Sequence, residues 1–237
     1  MLASQRTSIG VIGGLGPLAS AEFLKTIYEC NLRGLEQESP TVLMYSDPSF
    51  PDRTEAFLAG KPDVLLARLT AALNHLCEAG VSKIVICCMT IHYLLPSLPP
   101  HLRSQIVSLL DVIFENITDN PRPRLLICSS GTQHLRLFQN HQGWDAVKDH
   151  VVLPDEADQH WIHHELIYQV KKNRDIREFI PQVKLLLKKY EVDSFIAGCS
   201  EIHLLAKQFT ASTEGQNGYG CIDPLTIIAT QLMEDQR

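Results

Sequence analysis

The feature that most constrains the fold is an alternation of short apolar runs with longer amphipathic stretches along the chain. Short runs rich in Val, Ile and Leu are typical of strands buried in a sheet. The predicted strands are residues 9–12, 41–46, 83–87, 124–128, 151–153 and 194–197, and the predicted helices are 19–32, 61–79, 102–117, a segment after 131, 158–172 and 176–189. Repeated strand–helix alternation predicts an α/β fold with parallel sheets and right-handed crossovers.

The pattern restarts after a proline-rich break at residues 95–100, which predicts two similar α/β halves. The tail at 223–233 is amphipathic with no strand after it, so we expect it to pack back on the first half. We therefore predict a first α/β domain of residues 1–103 with 208–237, and a second α/β domain of residues 104–207. Residues 210–220 are polar and contain glycine, which predicts a mobile surface loop.

Composition excludes several classes of protein. The 237 residues carry a formal charge of −6 and a pI near 5.9, so nucleic acid and anionic membranes are not expected partners. No apolar stretch approaches a transmembrane length and the N-terminus lacks an export signal pattern, which predicts a cytoplasmic protein. Seven cysteines without a CxxC pair indicate neither a disulfide framework nor a structural zinc site.

Two cysteines occur in similar contexts, one in each half. Cys88 follows the apolar run at 83–87, and Cys199 follows the run at 194–197 and Gly198. A hydroxyl residue comes soon after each thiol, Thr90 in the first case and Ser200 in the second. Active sites of open α/β sheets lie at the carboxyl ends of the strands, so these thiols are candidates for a paired acid and base. The other reading of any one cysteine is a small buried hydrophobe.

The first predicted strand opens onto a glycine-rich loop that contains Gly14-x-Gly16-x-x-Ala19. This pattern partly resembles a dinucleotide fingerprint, but Pro17 removes an amide donor and the candidate acidic residue, Asp47, lies too far along the chain. A tight glycine turn and a carboxylate-binding loop are the alternatives.

The loop after the second strand carries Pro51-Asp52-Arg53-Thr54. An arginine in a rigid, proline-bounded loop is suited to bidentate capture of a carboxylate. The alternative is that Asp52 caps a helix and Arg53 is solvated in its first turn, where the helix dipole disfavours a cation. That unfavourable position favours a binding role for Arg53.

Four motifs in this order and spacing resemble the aspartate/glutamate racemase family. They are Gly13-Gly14-Leu15-Gly16-Pro17, Pro51-Asp52-Arg53-Thr54, Cys88-Met89-Thr90-Ile91-His92 and Gly198-Cys199-Ser200-Glu201-Ile202. The chain is most similar to the aspartate racemase branch, because cell-wall glutamate racemases carry an Asp-Ser-Gly first loop and a histidine where Glu201 stands here. The resemblance implies two pseudo-symmetric α/β domains with the active site in the cleft between them, a small amino-acid substrate, neither pyridoxal phosphate nor metal, and a possible homodimer.

The resemblance also assigns roles to particular residues. Cys88 and Cys199 would be the catalytic thiols, and Thr90 and Ser200 would hold the substrate α-carboxylate. Arg53 would bind the side-chain carboxylate. The further substrate-binding candidates are Gly14, Met89, Glu201 and a late lysine, for which we favour Lys171 over Lys172.

The chain departs from the family pattern at several positions. Met89 replaces the usual asparagine and cannot provide its hydrogen bonds, which leaves the substrate range open. His203 replaces a proline, and we interpret it as a surface helix residue in preference to a titratable group of the site. His92 and Glu201 are candidates for proton handling, with helix capping or solvation as the alternative.

Three other functions stay open from the sequence. The wider superfamily contains hydantoin racemases, maleate isomerases and arylmalonate decarboxylases, and the presence of both cysteines favours a racemase or isomerase over a decarboxylase. A dinucleotide-binding protein is disfavoured by the poor fingerprint. A non-catalytic sensor of small acids is the remaining alternative.

Overall fold

The chain divides into two compact units in the computed structural model, which describes residues 8–32, 34–212 and 220–232. The first unit runs to Leu109 and resumes at Leu225, and the second comprises Leu110–Pro224. Each contains a four-stranded parallel sheet with helices, which confirms the predicted α/β class and its duplication. The domain bounds drawn from the sequence stay a prediction about independently folding parts, which limited proteolysis would test.

The first unit is built on a sheet with strand order β2-β1-β3-β4. Its strands are β1 (Ser8–Gly13), β2 (Thr41–Ser46), β3 (Lys83–Ile86) and β4 (Ile106–Val107), and its helices are α1 (Pro17–Asn31), α2 (Arg53–Leu58), α3 (Pro62–Glu78) and α4 (Pro100–Arg103). The register pairs Ile12 with both Tyr45 and Ile86. Because the three strands are parallel and in register, the loops after β1, β2 and β3 all leave from one edge of the sheet.

The second unit repeats this topology with strand order β6-β5-β7-β8. Its strands are β5 (Arg124–Cys128), β6 (Val151–Val152), β7 (Ser194–Gly198) and β8 (Gly220–Ile222), and its helices are α5 (Leu109–Asp119), α6 (Ser130–His134), α7 (Trp144–Val147), α8 (Glu156–Trp161), α9 (Tyr168–Lys171), α10 (Ile180–Lys189) and α11 (Glu201–Ser212). Cys128 at the end of β5 pairs with Gly198 at the end of β7. The strands that precede Cys88 and Cys199, β3 and β7, occupy equivalent positions in their sheets.

The last helix, α12 (Pro224–Gln231), packs on the first unit. The Ala229 carbonyl accepts a hydrogen bond of 2.9 Å from the Asn31 side chain at the end of α1. Leu225, Ile228 and Ala229 are buried. The apolar face of the tail thus covers part of the first core, as its amphipathic pattern predicts.

Each unit has its own apolar core. Strand residues such as Ile12, Ile84 and Ile86 pack with Leu69 and Leu73 of α3 in the first unit. The second core joins the residues Leu125, Ile127, Ile162, Leu166, Val183, Leu187, Phe195 and Ile202. Burial of each such side chain contributes roughly 1.5–3 kcal/mol to the stability of the fold. This packing holds the strand ends, and the loops that follow them, in fixed positions.

The structure corrects several predicted elements. The predicted helix 102–117 is interrupted, because α4 ends at Arg103 and the edge strand β4 precedes α5. The predicted helix 158–172 is α8 and α9 joined by a π-helical segment, Ile162–Ile167. The predicted loop 210–220 is wrong at both ends, where α11 and β8 lie, and its residues 213–219 fall outside the described residues. Residue 233 of the predicted tail also lies outside them.

Within the described ranges, no helix combines the length and hydropathy that crossing a bilayer requires.

Candidate functional site

The glycine loop after β1 is held by close backbone packing. Gly14 has φ +83°, and a Cβ there would lie 2.4 Å from the carbonyl carbon of Asp47. Its N–H donates to the Ser20 hydroxyl at 3.2 Å. Glycine is therefore required by steric contact between the β1 and β2 loops. The predicted role of Gly14 in binding substrate stays a prediction, and the structure gives its amide an internal partner.

Arg53 joins the same two loops. Its side chain is buried, with Nη2 donating to the Leu15 carbonyl at 2.7 Å and Nη1 to the Pro51 carbonyl at 3.1 Å. Asp52 caps α2, as the alternative interpretation held, since its Oδ1 accepts from the Glu55 N–H at 3.1 Å. The alternative of a solvated Arg53 is wrong, because tertiary contacts with the glycine loop draw the guanidinium inward. These two bonds fix the plane of the guanidinium at the sheet edge.

Arg68 of α3 is a residue that sequence reasoning missed. Its guanidinium forms an ion pair of 2.5 Å with Asp47 and also donates to the Ser49 carbonyl, and it lies 4.6 Å from the centroid of the Phe50 ring. Hydrogen bonds from Ser49, together with Arg68, lower the pKa of the Asp47 carboxyl. Arg68 thus fixes the β2 loop that carries Arg53. Its spacing on α3 gives no signal of this role.

Cys88 lies two residues beyond the end of β3. The Cys87 N–H still donates to the Ile12 carbonyl at 2.9 Å, while the Cys88 N–H turns back to the Ile86 carbonyl at 2.7 Å. Cys88, Met89 and Thr90 are all buried, and a 3₁₀ helix, Thr90–Ser97, follows. The first motif is therefore folded against the end of the sheet, where the parallel strands deliver it.

His92 is tied to backbone groups on both ring nitrogens. Nε2 accepts from the Leu109 N–H at 3.1 Å, so the proton of the neutral ring is on Nδ1, which lies 2.8 Å from the Cys88 carbonyl. This assignment follows from the fact that a peptide N–H only donates and a carbonyl only accepts. His92 therefore positions the Cys88 peptide. The candidate proton-handling role of His92 would require breaking one of these bonds.

Cys199 directly follows β7, and its thiol contacts a carboxylate. Sγ donates to Glu201 Oε2 at 2.9 Å, and the Ser200 hydroxyl donates to the same oxygen at 3.3 Å. All three residues are buried. The Cys199 thiol is therefore directed at a carboxylate acceptor.

His203, one turn beyond Cys199 along α11, corrects a prediction. It is fully buried, and its Nδ1 lies 2.6 Å from Asp223 Oδ2. The interpretation as a surface histidine is wrong, because β8 and the residue that follows it cover this face of α11. Asp223 was not identified from the sequence, although its place before Pro224 is typical of a helix start.

Lys171 lies at the end of α9 and is partly buried, whereas Lys172 is exposed. The Lys171 ammonium lies 4.2 Å from the centroid of the Tyr168 ring. That ring is 4.5 Å from the ring of His163, whose Nδ1 accepts from the Ser130 N–H at 3.2 Å. Lys171 is thus linked to the start of α6, and the assignment of Lys171 to substrate stays a prediction.

Apart from Lys171, the predicted residues form two groups, one in each unit. Gly14, Arg53, Cys88, Met89 and Thr90 follow β1, β2 and β3 at one edge of the first sheet. Cys199, Ser200 and Glu201 follow β7 at the equivalent edge of the second sheet. Each group carries one thiol and at least one hydroxyl. This is the chemistry needed to move a proton and to hold a carboxylate.

No three His, Cys, Asp or Glu side chains cluster as a metal ion would need, across the part of the chain that the structure describes. The expectation that the protein uses neither metal nor pyridoxal phosphate stays a prediction.

The fold defines the class, a duplicated α/β protein with two similar four-stranded parallel sheets. The sequence matches the Asp/Glu/Hydantoin racemase family over residues 12–232, so the chain belongs to this family. The family predicted from the four motifs is confirmed.

Solved structures show the same fold. An aspartate racemase of Picrophilus torridus has a TM-score of 0.81 and 20% identity, with 97% of this chain and 94% of that chain covered. A glutamate racemase of Francisella tularensis in complex with D-glutamate has a TM-score of 0.63 and 14% identity, covering 97% and 80%. An allantoin racemase of Klebsiella pneumoniae has a TM-score of 0.53 and 18% identity, covering 96% and 86%.

Proposed function

We propose that the protein is a cofactor-independent racemase of aspartate or a related acidic amino acid, with Cys88 and Cys199 as its acid and base. The observation that carries the proposal is that the two thiols follow the equivalent strands of the two sheets, Cys88 two residues after β3 and Cys199 directly after β7. A racemase needs two proton carriers that act on the two faces of one carbon. Duplication of an α/β unit supplies such a pair.

In one direction of turnover, the Cys88 thiolate takes the α-proton and becomes a thiol. The Cys199 thiol then gives its proton to the opposite face of the carbanion and becomes a thiolate. The starting protonation follows from the Glu201 carboxylate, which holds the proton on Cys199. One proton is taken from the substrate and one is returned, so no net proton is consumed. The turnover leaves Cys88 as the thiol and Cys199 as the thiolate, which is the form that acts on the opposite enantiomer.

The carbanion is the difficult species, and its charge spreads onto the α-carboxylate. Hydroxyl donors at this group stabilise the transition state, and we assign that role to Thr90 and to Ser200, whose O–H would turn from Glu201 to the substrate. Arg53, fixed in plane by the Leu15 and Pro51 carbonyls, would receive the distal carboxylate. Gly14, Met89 and Lys171 complete the proposed set around the substrate.

The test is α-hydrogen exchange in deuterium oxide with a panel of single-enantiomer amino acids. We expect exchange and racemisation with aspartate or another acidic amino acid. Cys88→Ala and Cys199→Ala should each abolish racemisation, whereas Cys87→Ala, which removes the buried neighbouring thiol, should retain it. Racemisation that survives in both variants would refute the two-thiol mechanism.

A second candidate is another two-cysteine isomerase of the family, with a hydantoin or a maleate-like substrate. Buried Met89 favours this alternative, because it places an apolar group in the first motif where the family has asparagine. Turnover of a hydantoin without exchange of any amino acid would identify it. A non-catalytic sensor of small acids would bind such an acid without turnover of a hydantoin and without α-hydrogen exchange of an amino acid.

We also propose a homodimer, as the family resemblance implies. Light scattering of the purified protein would test it, and a monomer mass at assay concentration would reject it.

A further inference from the structure

The two carboxylate oxygens of Glu201 have different surroundings. Oε2 accepts from the Cys199 thiol and the Ser200 hydroxyl, as described above. Oε1 is buried and has no hydrogen-bond partner among the described residues. The side chain as a whole is only 2% exposed. A buried carboxylate oxygen without a donor is costly, so its presence requires an explanation.

The missing donor must meet two conditions. It must come within hydrogen-bond distance of a carboxylate next to the Cys199 thiol, and it should carry positive charge to offset the buried negative charge. An α-ammonium group meets both, because it is a cation with three N–H donors. During proton transfer the α-carbon lies about 3–3.5 Å from the thiol sulfur. The ammonium on that carbon is then carried to the neighbourhood of Glu201.

We infer that Glu201 is the receptor for the α-ammonium of the substrate, and that it selects amino acids over acids and cyclic amides that lack this group. The inference rests on the proposed function for the position of the α-carbon at Cys199. It goes beyond that function by naming the group that distinguishes an amino acid from the other substrates of the family.

Binding at Glu201 also has a consequence for Cys199. In the free protein the carboxylate disfavours a thiolate on the sulfur 2.9 Å away. An ammonium that neutralises Glu201 removes this penalty at the stage when Cys199 has given up its proton. The same contact therefore couples substrate recognition to the ability of Cys199 to change its protonation state.

The experiment compares ligands that differ only in the ammonium group. Calorimetry would measure binding of aspartate against succinate, and of glutamate against glutarate, to the full chain. We expect the wild-type protein to bind the amino acid of the better-bound pair roughly 10- to 100-fold more tightly than its unaminated partner. Glu201→Gln should abolish most of this ratio by weakening the amino acid alone.

Two further variants control for charge and folding. Glu201→Asp keeps the charge on a shorter side chain and should retain part of the ratio. Glu156→Gln removes an exposed carboxylate from the first turn of α8 and should leave the ratio unchanged. Circular dichroism would verify that each variant is folded, and the wild-type ratio remains a test if Glu201→Gln does not fold.

Each outcome separates the inference from the proposed function. Equal wild-type affinity for aminated and unaminated acids, or a ratio that persists in Glu201→Gln, would overturn the inference while amino-acid exchange still supported the racemase. A large ratio that depends on Glu201, without α-hydrogen exchange, would support the inference and reject the racemase. Failure of the wild-type protein to bind any of the four ligands would reject both.

Discussion

Replacing Arg53 by alanine tests whether one buried guanidinium both builds the sheet edge and binds substrate. The change removes the donors at 2.7 Å and 3.1 Å from the Leu15 and Pro51 carbonyls. Loss of two hydrogen bonds from a charged, buried donor should lower the free energy of unfolding by about 2–4 kcal/mol. If Arg53 also binds the distal carboxylate, kcat/KM for acidic substrates should fall by a further factor of roughly 30 or more, and turnover of neutral amino acids should change little.

Urea unfolding, monitored by circular dichroism, would measure the change in the free energy of unfolding. Exchange assays with acidic and neutral amino acids would measure the change in selectivity. The control is Arg103→Ala, which removes an exposed arginine from α4 and should alter neither quantity. A loss of stability below about 0.5 kcal/mol would refute the structural reasoning. Equal losses of activity for acidic and neutral substrates would show that Arg53 supports the loops without binding the carboxylate.

Three other perturbations follow from the structure. Met89→Asn should raise kcat/KM toward aspartate or glutamate by roughly tenfold if the residue at this position normally donates a hydrogen bond to the substrate. The same change should lower activity on the native substrate if methionine is an adaptation to a less polar substrate. No change with any substrate would place Met89 away from the site. Asp223→Ala leaves His203 buried without its carboxylate partner. Urea unfolding should show a loss in the free energy of unfolding of about 3–5 kcal/mol if that histidine is charged, and of about 1–3 kcal/mol if it is neutral. Burial raises the pKa of the Cys128 thiol to about 12 from 9.0, so only the unfolded chain ionises this thiol between those values; stability should therefore fall as the pH rises from 9 toward 12, and less steeply in Cys128→Ala.

The sequence could predict elements whose signal is local. Runs such as those of β5 and β7 are apolar throughout, and buried parallel strands require that composition because helices cover both faces of the sheet. The edge strands β4 and β8 carry no such signal. They are two and three residues long, and only their pairing with β3 and β7 makes them strands.

The candidate site shows the same contrast between features with a local sequence signal and features set by tertiary contacts. The sequence alone determined which chemical groups follow each strand, because Cys88, Thr90, Cys199 and Ser200 are fixed by their position at the end of an apolar run. It also determined the family, through motifs that span most of the chain.

Only the tertiary structure decided the surroundings of these groups. The burial of Arg53 against the glycine loop, the pairing of His203 with Asp223 and the tautomer of His92 depend on contacts between segments that are distant in the chain. Even the contact between Cys199 and Glu201, two residues apart, depends on where β7 ends and α11 begins. Composition and spacing specify which side chains lie at the end of a strand. The partners of those side chains are set only when the strands pair into a sheet and the loops between them pack together.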